Sequence, residues 1–237
     1  MTGRNLVVAG GPLHDFAATT DGLVALAAAE GLASTLPTDP AAALDLLVDE
    51  RWDLLTVDAL LWTMPAERHA PLRDEWRFEL ADRHADALVA HVEGGGALLA
   101  LHTAPICFDG DPRWRRLLGA RWDWERSHHP PLGPVAVHRA AAGAAHPITA
   151  ATDGFELVDE VYADLDVDDD VEPLLVSPVG GVDQPVLWAR RVGRGRVVVD
   201  LLGHDRASID HPDHAAVLRR ALRWLVAPSS PAPEAQP

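Results

Sequence analysis

Apolar and polar positions alternate in blocks along the first hundred residues. Leu6–Ala9 is a short apolar run entering Gly10-Gly11, the pattern of a buried strand that feeds a tight turn. From Thr20 to Gly31, the residues Leu23, Val24, Leu26 and Ala27 fall at helical spacing and the segment closes on glycine. Ala33–Leu36 reads as a weak second strand. Asp39-Pro40 then opens a helix with Leu44, Leu47 and Val48 on one face. Trp52–Asp58 reads as a third strand. Trp76–Val92 reads as one long amphipathic helix with Leu80, Leu88, Val89 and Val92 inward, closed by Gly94-Gly95-Gly96, and Ala97–Leu101 as a fourth strand. Strand–helix alternation of this kind predicts an α/β fold, a mostly parallel sheet with helices on both faces.

The second half is less regular. A short helix is expected at Pro112–Leu118, and strands at Val135–His138 and Val171–Val176. Val186–Arg190 and Arg196–Leu202 read as a hairpin turning at Val192–Gly195, and Pro212–Leu225 as a final amphipathic helix. The acidic run Asp164–Asp170 lacks the central glycine and terminal glutamate of a calcium loop and reads as a solvated loop. Residues 228–237 carry no apolar periodicity and are expected to be disordered, leaving one domain over 1–227.

Composition narrows the chemistry. The 237 residues are 48% hydrophobic, enough for a sizeable core. All 20 basic residues are arginine, against 36 acidic ones, and the net charge is −16. Such a chain repels phosphate backbones, so no nucleic-acid partner is expected. Without lysine there is no Schiff-base or P-loop chemistry, and one cysteine, Cys107, excludes a disulfide framework or a cysteine-rich zinc module. No segment reads as a signal peptide or approaches the roughly 20 apolar residues of a membrane helix, so a cytoplasmic protein without a membrane partner is expected.

Twelve histidines remain to be placed. In an open parallel sheet, ligands collect where strands end at their carboxyl edge. His14, with Asp15, follows the first strand. His102, with Thr103, follows the fourth. His204, with Asp205, follows the last and is preceded by Gly203. Two readings stand for each: a site residue, or a loop or backbone contact. Ser127-His128-His129-Pro130 places one further histidine, His129, where it could face the site. Asp159-Glu160 beside Tyr162 supplies carboxylates to tune a histidine or to form a turn. Trp122 or Trp124 offers a flat face to a sugar ring, or belongs to the core. His69, His84, His91, His138, His211 and His214 read as surface or turn residues, and Cys107 as an inert buried or loop thiol.

Taken in order, Gly10-Gly11 with His14-Asp15, Gly94–Gly96 leading to Leu101-His102-Thr103-Ala104, Leu118-Gly119, His129-Pro130, His146–Thr149, Asp159-Glu160-Val161-Tyr162, Pro185–Trp188, Gly193–Val197 and Gly203-His204-Asp205 resemble the ThuA-like (trehalose-utilisation) family over about Asn5 to Ala227. The resemblance implies a class I glutamine-amidotransferase-like fold, a flavodoxin-like three-layer sandwich. Amidotransferases carry a cysteine on the elbow after the glycine-rich turn. Here His102 or Thr103 stands there and Cys107 is displaced, so glutaminase activity is not expected. The family points to catabolism of trehalose or related disaccharides, including keto-sugars, and to a homodimer.

The expectation is therefore a sugar isomerase, lyase or hydrolase. His102 and His204 would form an acid/base pair, Glu160 and Asp205 would orient or tune them, and His14, Asp15, Thr103, Trp124 and His129 would bind substrate. Three histidines and a water form a catalytic zinc geometry, so zinc or another divalent metal on His102, His129 and His204 is also considered. Two other readings stay open: a non-catalytic sugar-binding or assembly module, and a metal-dependent hydrolase of another small molecule.

Overall fold

The computed structural model describes residues 3–228. In chain order the elements are β1 (Gly3–Gly10), α1 (Phe16–Ala29), β2 (Leu32–Thr35), α2 (Pro40–Asp49), β3 (Leu54–Ala59), α3 (Ala70–Trp76), α4 (Asp82–Glu93), β4 (Ala97–Leu101), α5 (Pro112–Leu118) and β5 (Ala120–Arg121). They continue with β6 (Gly133–Arg139), β7 (Gly154–Asp159), β8 (Asp166–Val167), β9 (Pro173–Val179), β10 (Val182–Val192), β11 (Gly195–Asp200), α6 (Arg206–Asp210) and α7 (Pro212–Val226).

Nine strands form one sheet in the order β2-β1-β3-β4-β11-β10-β9-β6-β7. The first five are mutually parallel, the flavodoxin-like arrangement. From β11 outward every pairing is antiparallel. Two successive reversals give β9 and β7 the same direction as β11, so the chain leaving β7 emerges at the carboxyl edge of the parallel strands.

Period-two alternation builds the three layers. On β4, Leu98 and Ala100 pack with Leu44 and Leu47 of α2, Leu88 and Val92 of α4, and Leu117 of α5. Ala97, Leu99 and Leu101 turn to the opposite face, against Leu23 and Ala27 of α1 and Leu218 and Leu222 of α7. The central strands β3, β4 and β11 are buried along their whole length because helices cover both faces. No helix among the described residues is long and apolar enough to cross a membrane.

Three expectations need correction. The helix expected over Trp76–Val92 is broken: α3 ends at Trp76, Arg77 is extended, and α4 begins at Asp82. A tertiary bond overrides the periodicity, since the Phe78 N–H donates to the Trp62 carbonyl at 3.0 Å. Strand β7 was not foreseen, although Phe155, Leu157 and Asp159 alternate inward. The acidic run is not simply solvated: Asp166 and Asp168 pair with Arg115, Asp166 also with Arg121, and Asp170 with Arg190. The tail expectation falls, apart from Pro228, outside the described residues.

The first strand–helix loop is held down by a close approach. Gly11 has φ +128°, and a Cβ there would sit 2.4 Å from the Leu60 carbonyl oxygen. Gly31 has φ +81° with open space around it. Urea unfolding is expected to show a loss of about 1 kcal/mol for Gly31→Ala, from the left-handed backbone alone. Gly11→Ala should lose at least about 3 kcal/mol, because the clash with backbone adds to that strain. Equal losses would contradict the close approach.

Candidate functional site

Loops leaving β1, β4, β7 and β11 meet at the carboxyl edge. One donor atom each from His14, His102, Glu160 and His204 lies within 4.8 Å of the others. The imidazole centroids are 5.1 Å apart for His14–His102, 4.8 Å for His14–His204 and 5.4 Å for His102–His204.

Backbone geometry delivers these side chains. Gly10, Gly11 and Leu13 all have positive φ in the loop that presents His14. His102 itself has φ 39°, a left-handed conformation at the end of a buried strand, and its N–H donates to the Asp200 carbonyl at 2.7 Å. Its Nδ1 lies 2.9 Å from the Leu201 carbonyl. That contact assigns the proton to Nδ1 and leaves the Nε2 lone pair for the cluster, 3.8 Å from Glu160 Oε2 and 3.4 Å from the Tyr162 hydroxyl.

His204 is placed by a buried carboxylate that sequence reasoning left without a definite role. Asp159 accepts from the backbone N–H groups of Gly203 at 2.8 Å and His204 at 3.2 Å, from the Glu160 N–H at 2.7 Å, and from the Ser208 hydroxyl. Ser208 in turn meets His214 Nδ1 at 3.1 Å, and His214 Nε2 lies 3.1 Å from Asp200 Oδ2. Burial alone would lower the His214 pKa, but the Asp200 carboxylate outweighs it and raises the value. A network of acid, imidazolium, hydroxyl and acid thus runs behind the site.

The cluster itself favours neutral imidazoles. Burial, then the neighbouring His102 and His204, pulls His14 from 6.5 to about 3. Burial likewise lowers His102. Neither nitrogen of His14, nor His204 Nδ1, has a hydrogen-bond partner, although these atoms are buried. His204 Nδ1 lies 3.3 Å from Glu160 Oε2 without hydrogen-bond alignment. Burial, reinforced by Glu160, raises Tyr162 well above 10, so it remains a phenol.

The other expected residues divide. His129 is half-exposed at the rim, its Nδ1 3.4 Å from Glu160 Oε1, but it lies outside the four-donor cluster. His14 takes the position expected of His129 in the metal set, because the glycine turn carries it inward. Trp124 lines the cavity in front of the cluster with Trp62, Trp122 and His69. Asp15 and Asp205 are helix caps, accepting from the N–H groups of Ala18 at 3.1 Å and Ser208 at 2.9 Å. Thr103 is fully buried and its hydroxyl donates to the Ala59 carbonyl. All three side chains are engaged by the fold itself. Cys107 donates to the same carbonyl at 2.7 Å, and burial pushes its thiol up to about 12.

Three histidines assigned to the surface are structural instead: His84 pairs with Asp45, His91 bonds the Ala97 carbonyl, and His214 joins the buried network. The available signal was Asp200 itself, a carboxylate that ends the apolar run Val197–Val199 of a buried strand and so requires a buried partner.

Fold and site together define a flavodoxin-like α/β protein with a histidine–carboxylate centre at the sheet's carboxyl edge. A family model described as ThuA, trehalose utilisation, matches residues 5–225, and the chain belongs to that family. No curated protein matches the sequence. Among solved structures, a ThuA-like protein from Parabacteroides merdae is 13% identical with a TM-score of 0.73, over 96% of this chain and 91% of that one. A protein described as cytoplasmic from Salmonella typhimurium is 11% identical with a TM-score of 0.63, over 94% and 99%. A β-galactosidase from Rahnella is 12% identical with a TM-score of 0.61, covering 99% of this chain but only 33% of that enzyme. At these identities the likeness is one of fold.

The depressed His14 pKa sets a sign for acid stability. Between about pH 6.5 and 3 the unfolded chain binds a proton that folded His14 refuses, so this contribution is complete above 6.5 and is lost as pH falls. Asp58 acts oppositely: burial, opposed by the Thr19 and Thr20 hydroxyls, raises it from 3.8 to about 6, so its contribution is lost as pH rises through that window. Urea midpoints measured from pH 7 to 4 should fall less steeply in His14→Gln and more steeply in Asp58→Asn than in the parent.

Proposed function

We propose that this chain is a sugar-catabolism enzyme that acts on a carbonyl-bearing sugar, a keto-sugar derived from trehalose or a related disaccharide, at a divalent-metal site formed by His14, His102, His204 and Glu160. The observation that carries the reading is the convergence of four donors within 4.8 Å, with buried nitrogens on His14 and His204 that lack any partner. Three imidazoles and one carboxylate suit zinc or a similar borderline ion. When bound, such an ion supplies a Lewis acid that polarises a substrate oxygen and acidifies the neighbouring proton.

The chain's own residues supply the rest. The Leu201 carbonyl fixes the His102 tautomer, so Nε2 faces the cluster as a lone pair. Tyr162 remains a neutral O–H donor beside it. His129 faces Glu160 from the half-exposed rim and is placed to take or return a proton on the substrate side. Trp122 and Trp124 wall the cavity, and indole faces suit the C–H face of a sugar ring. Glutaminase chemistry is not proposed, because the only thiol is protonated and donates to Ala59.

A second reading keeps His204 and His102 as a metal-free acid/base pair. It is favoured by the Glu160 carboxylate 3.3 Å from His204 Nδ1, which suits an imidazolium.

Metal analysis of the purified protein, with turnover of oxidised and unoxidised disaccharides, separates the two. One divalent ion per chain is expected, lost in His102→Ala and His204→Ala together with activity. A metal-free protein that stays fully active in chelator supports the acid/base pair instead. If neither variant alters metal content, binding or turnover, the site assignment fails. Asp159→Asn keeps all four donors but weakens the acceptor that holds the His204 backbone. It should weaken metal affinity by roughly 10–100-fold, the range for lost orienting partners, as measured by competition with a chelating dye.

A further inference from the structure

The cavity in front of the histidine cluster has a volume of about 280 Å³. Its lining carries a single carboxylate, Glu160, which belongs to the cluster, and a single guanidinium, Arg68. Acidic residues outnumber arginines 36 to 20 in this chain, so a partner is available to nearly every guanidinium. Arg73, Arg77, Arg113, Arg115 and Arg121 each pair with a carboxylate. Among the described residues no carboxylate meets Arg68, whose one hydrogen bond goes to an imidazole. The adjacent Glu67 turns instead to Arg73, at 3.5 Å.

Arg68 is held in place without a counter-charge. It lies in the short turn Glu67–His69. Arg73 braces the backbone leading into that turn, donating to the carbonyls of Met64 at 2.9 Å and Ala66 at 2.8 Å. Arg68 Nε donates to His69 Nε2 at 3.1 Å. The His69 ring packs edge-on between Trp62 and Trp124, with centroids 5.3 Å and 5.7 Å away, and the Arg68 guanidinium stands 6.0 Å over the Trp124 ring. Burial, then the charges of Arg68 and Arg73, lower the His69 pKa, so His69 serves Arg68 as a neutral acceptor. The two terminal nitrogens of Arg68 stay uncommitted at the cavity mouth.

We infer that Arg68 is a specificity-determining residue whose terminal nitrogens take a carboxylate on the substrate, so that the molecule bound at the cluster is a carbonyl sugar that also bears an acid group. This inference rests on the proposed carbonyl-sugar chemistry of the cluster. A guanidinium fork matches the two oxygens of a carboxylate, and the charge-assisted bonds it makes are short and strong. The aromatic walls beside Arg68 exclude water and strengthen that attraction. A phosphate monoester carries about −1.5 to −2 at pH 7, more than one guanidinium balances next to Glu160. The cavity lies just under the roughly 300–1,000 Å³ typical of ligand pockets, which suits a single sugar unit.

Calorimetric titration of the purified protein with glucose, glucuronate and glucose 6-phosphate tests the assignment, since the three share a ring and differ at one carbon. Glucuronate should bind at least about 10-fold more tightly than glucose, the scale of one hydrogen bond to a charged group, and more tightly than the phosphate. Arg68→Gln should abolish the preference with glucose affinity unchanged. Arg68→Lys keeps the charge but loses the fork, and should retain part of the preference. Arg68 is exposed and hydrogen-bonds only its sequence neighbour, so both variants should fold as the parent does.

Equal affinity for glucose and glucuronate, tighter binding of the phosphate, or no binding of any of the three overturns the carboxylate site. A preference that survives Arg68→Gln but is lost in His204→Ala assigns the carboxylate to the cluster and overturns it as well. The metal reading fails separately. A protein that holds no ion, yet prefers glucuronate and loses that preference in Arg68→Gln, supports the carboxylate site and removes only the metal. A protein that holds its ion and turns over neutral keto-sugars without preferring glucuronate keeps the cluster chemistry and loses the role of Arg68.

Discussion

The Asp159 carboxylate is the constraint on which the site depends. It sits at the end of an edge strand, buried, and four donors converge on it: two backbone N–H groups that carry His204, the N–H of Glu160, and the Ser208 hydroxyl. Removing any one of these strands its oxygen lone pairs or a buried N–H, and each unmade bond costs about 1–3 kcal/mol. One side chain therefore fixes the mutual position of two cluster members that arrive from the central strand β11 and the edge strand β7. Charge balance is met from behind by the His214–Asp200 pair, both fully buried.

In front of that support the physics is reversed. The network at the back keeps an imidazole charged by surrounding it with carboxylates, whereas in the cluster burial, then neighbouring imidazoles, disfavours the charged form of His14, and burial does the same for His102. The same residue type thus does opposite work on the two sides of Asp159. The difference lies in the neighbours: His214 has Asp200 on one nitrogen and the Ser208 carbonyl on the other, while His14 packs against Phe16, His102 and His204 with no carboxylate hydrogen-bonded to it. A neutral imidazole is a ligand and a charged one is a girder.

Periodicity made the sheet and its two helical layers legible, because buried parallel strands are continuous apolar runs and amphipathic helices repeat at their own spacing. It also placed His14, His102 and His204 at one edge. It failed where tertiary contacts decide. Phe78 leaves the helical path for a bond to Trp62, and β7 hides its alternation behind the charged Asp159-Glu160. Capping roles were under-read as well: Asp15 and Asp205 stand beside site histidines, and adjacency alone suggested shared chemistry, while the N-cap rule assigns them to the helices they begin. The choice between His14 and His129 depends on the path of a glycine turn, which spacing does not encode.

The left-handed backbone at His102 makes the elbow indifferent to what it carries. The strain is held by the Asp200 carbonyl and by the flanking strand, not by the imidazole. A side chain exchanged there would be presented in the same place, at the same edge, with the same walls around it. The scaffold can thus trade one chemistry for another by single replacements, and the buried thiol at Cys107, its proton held by the Ala59 carbonyl, is consistent with a fold whose reactive position is a socket.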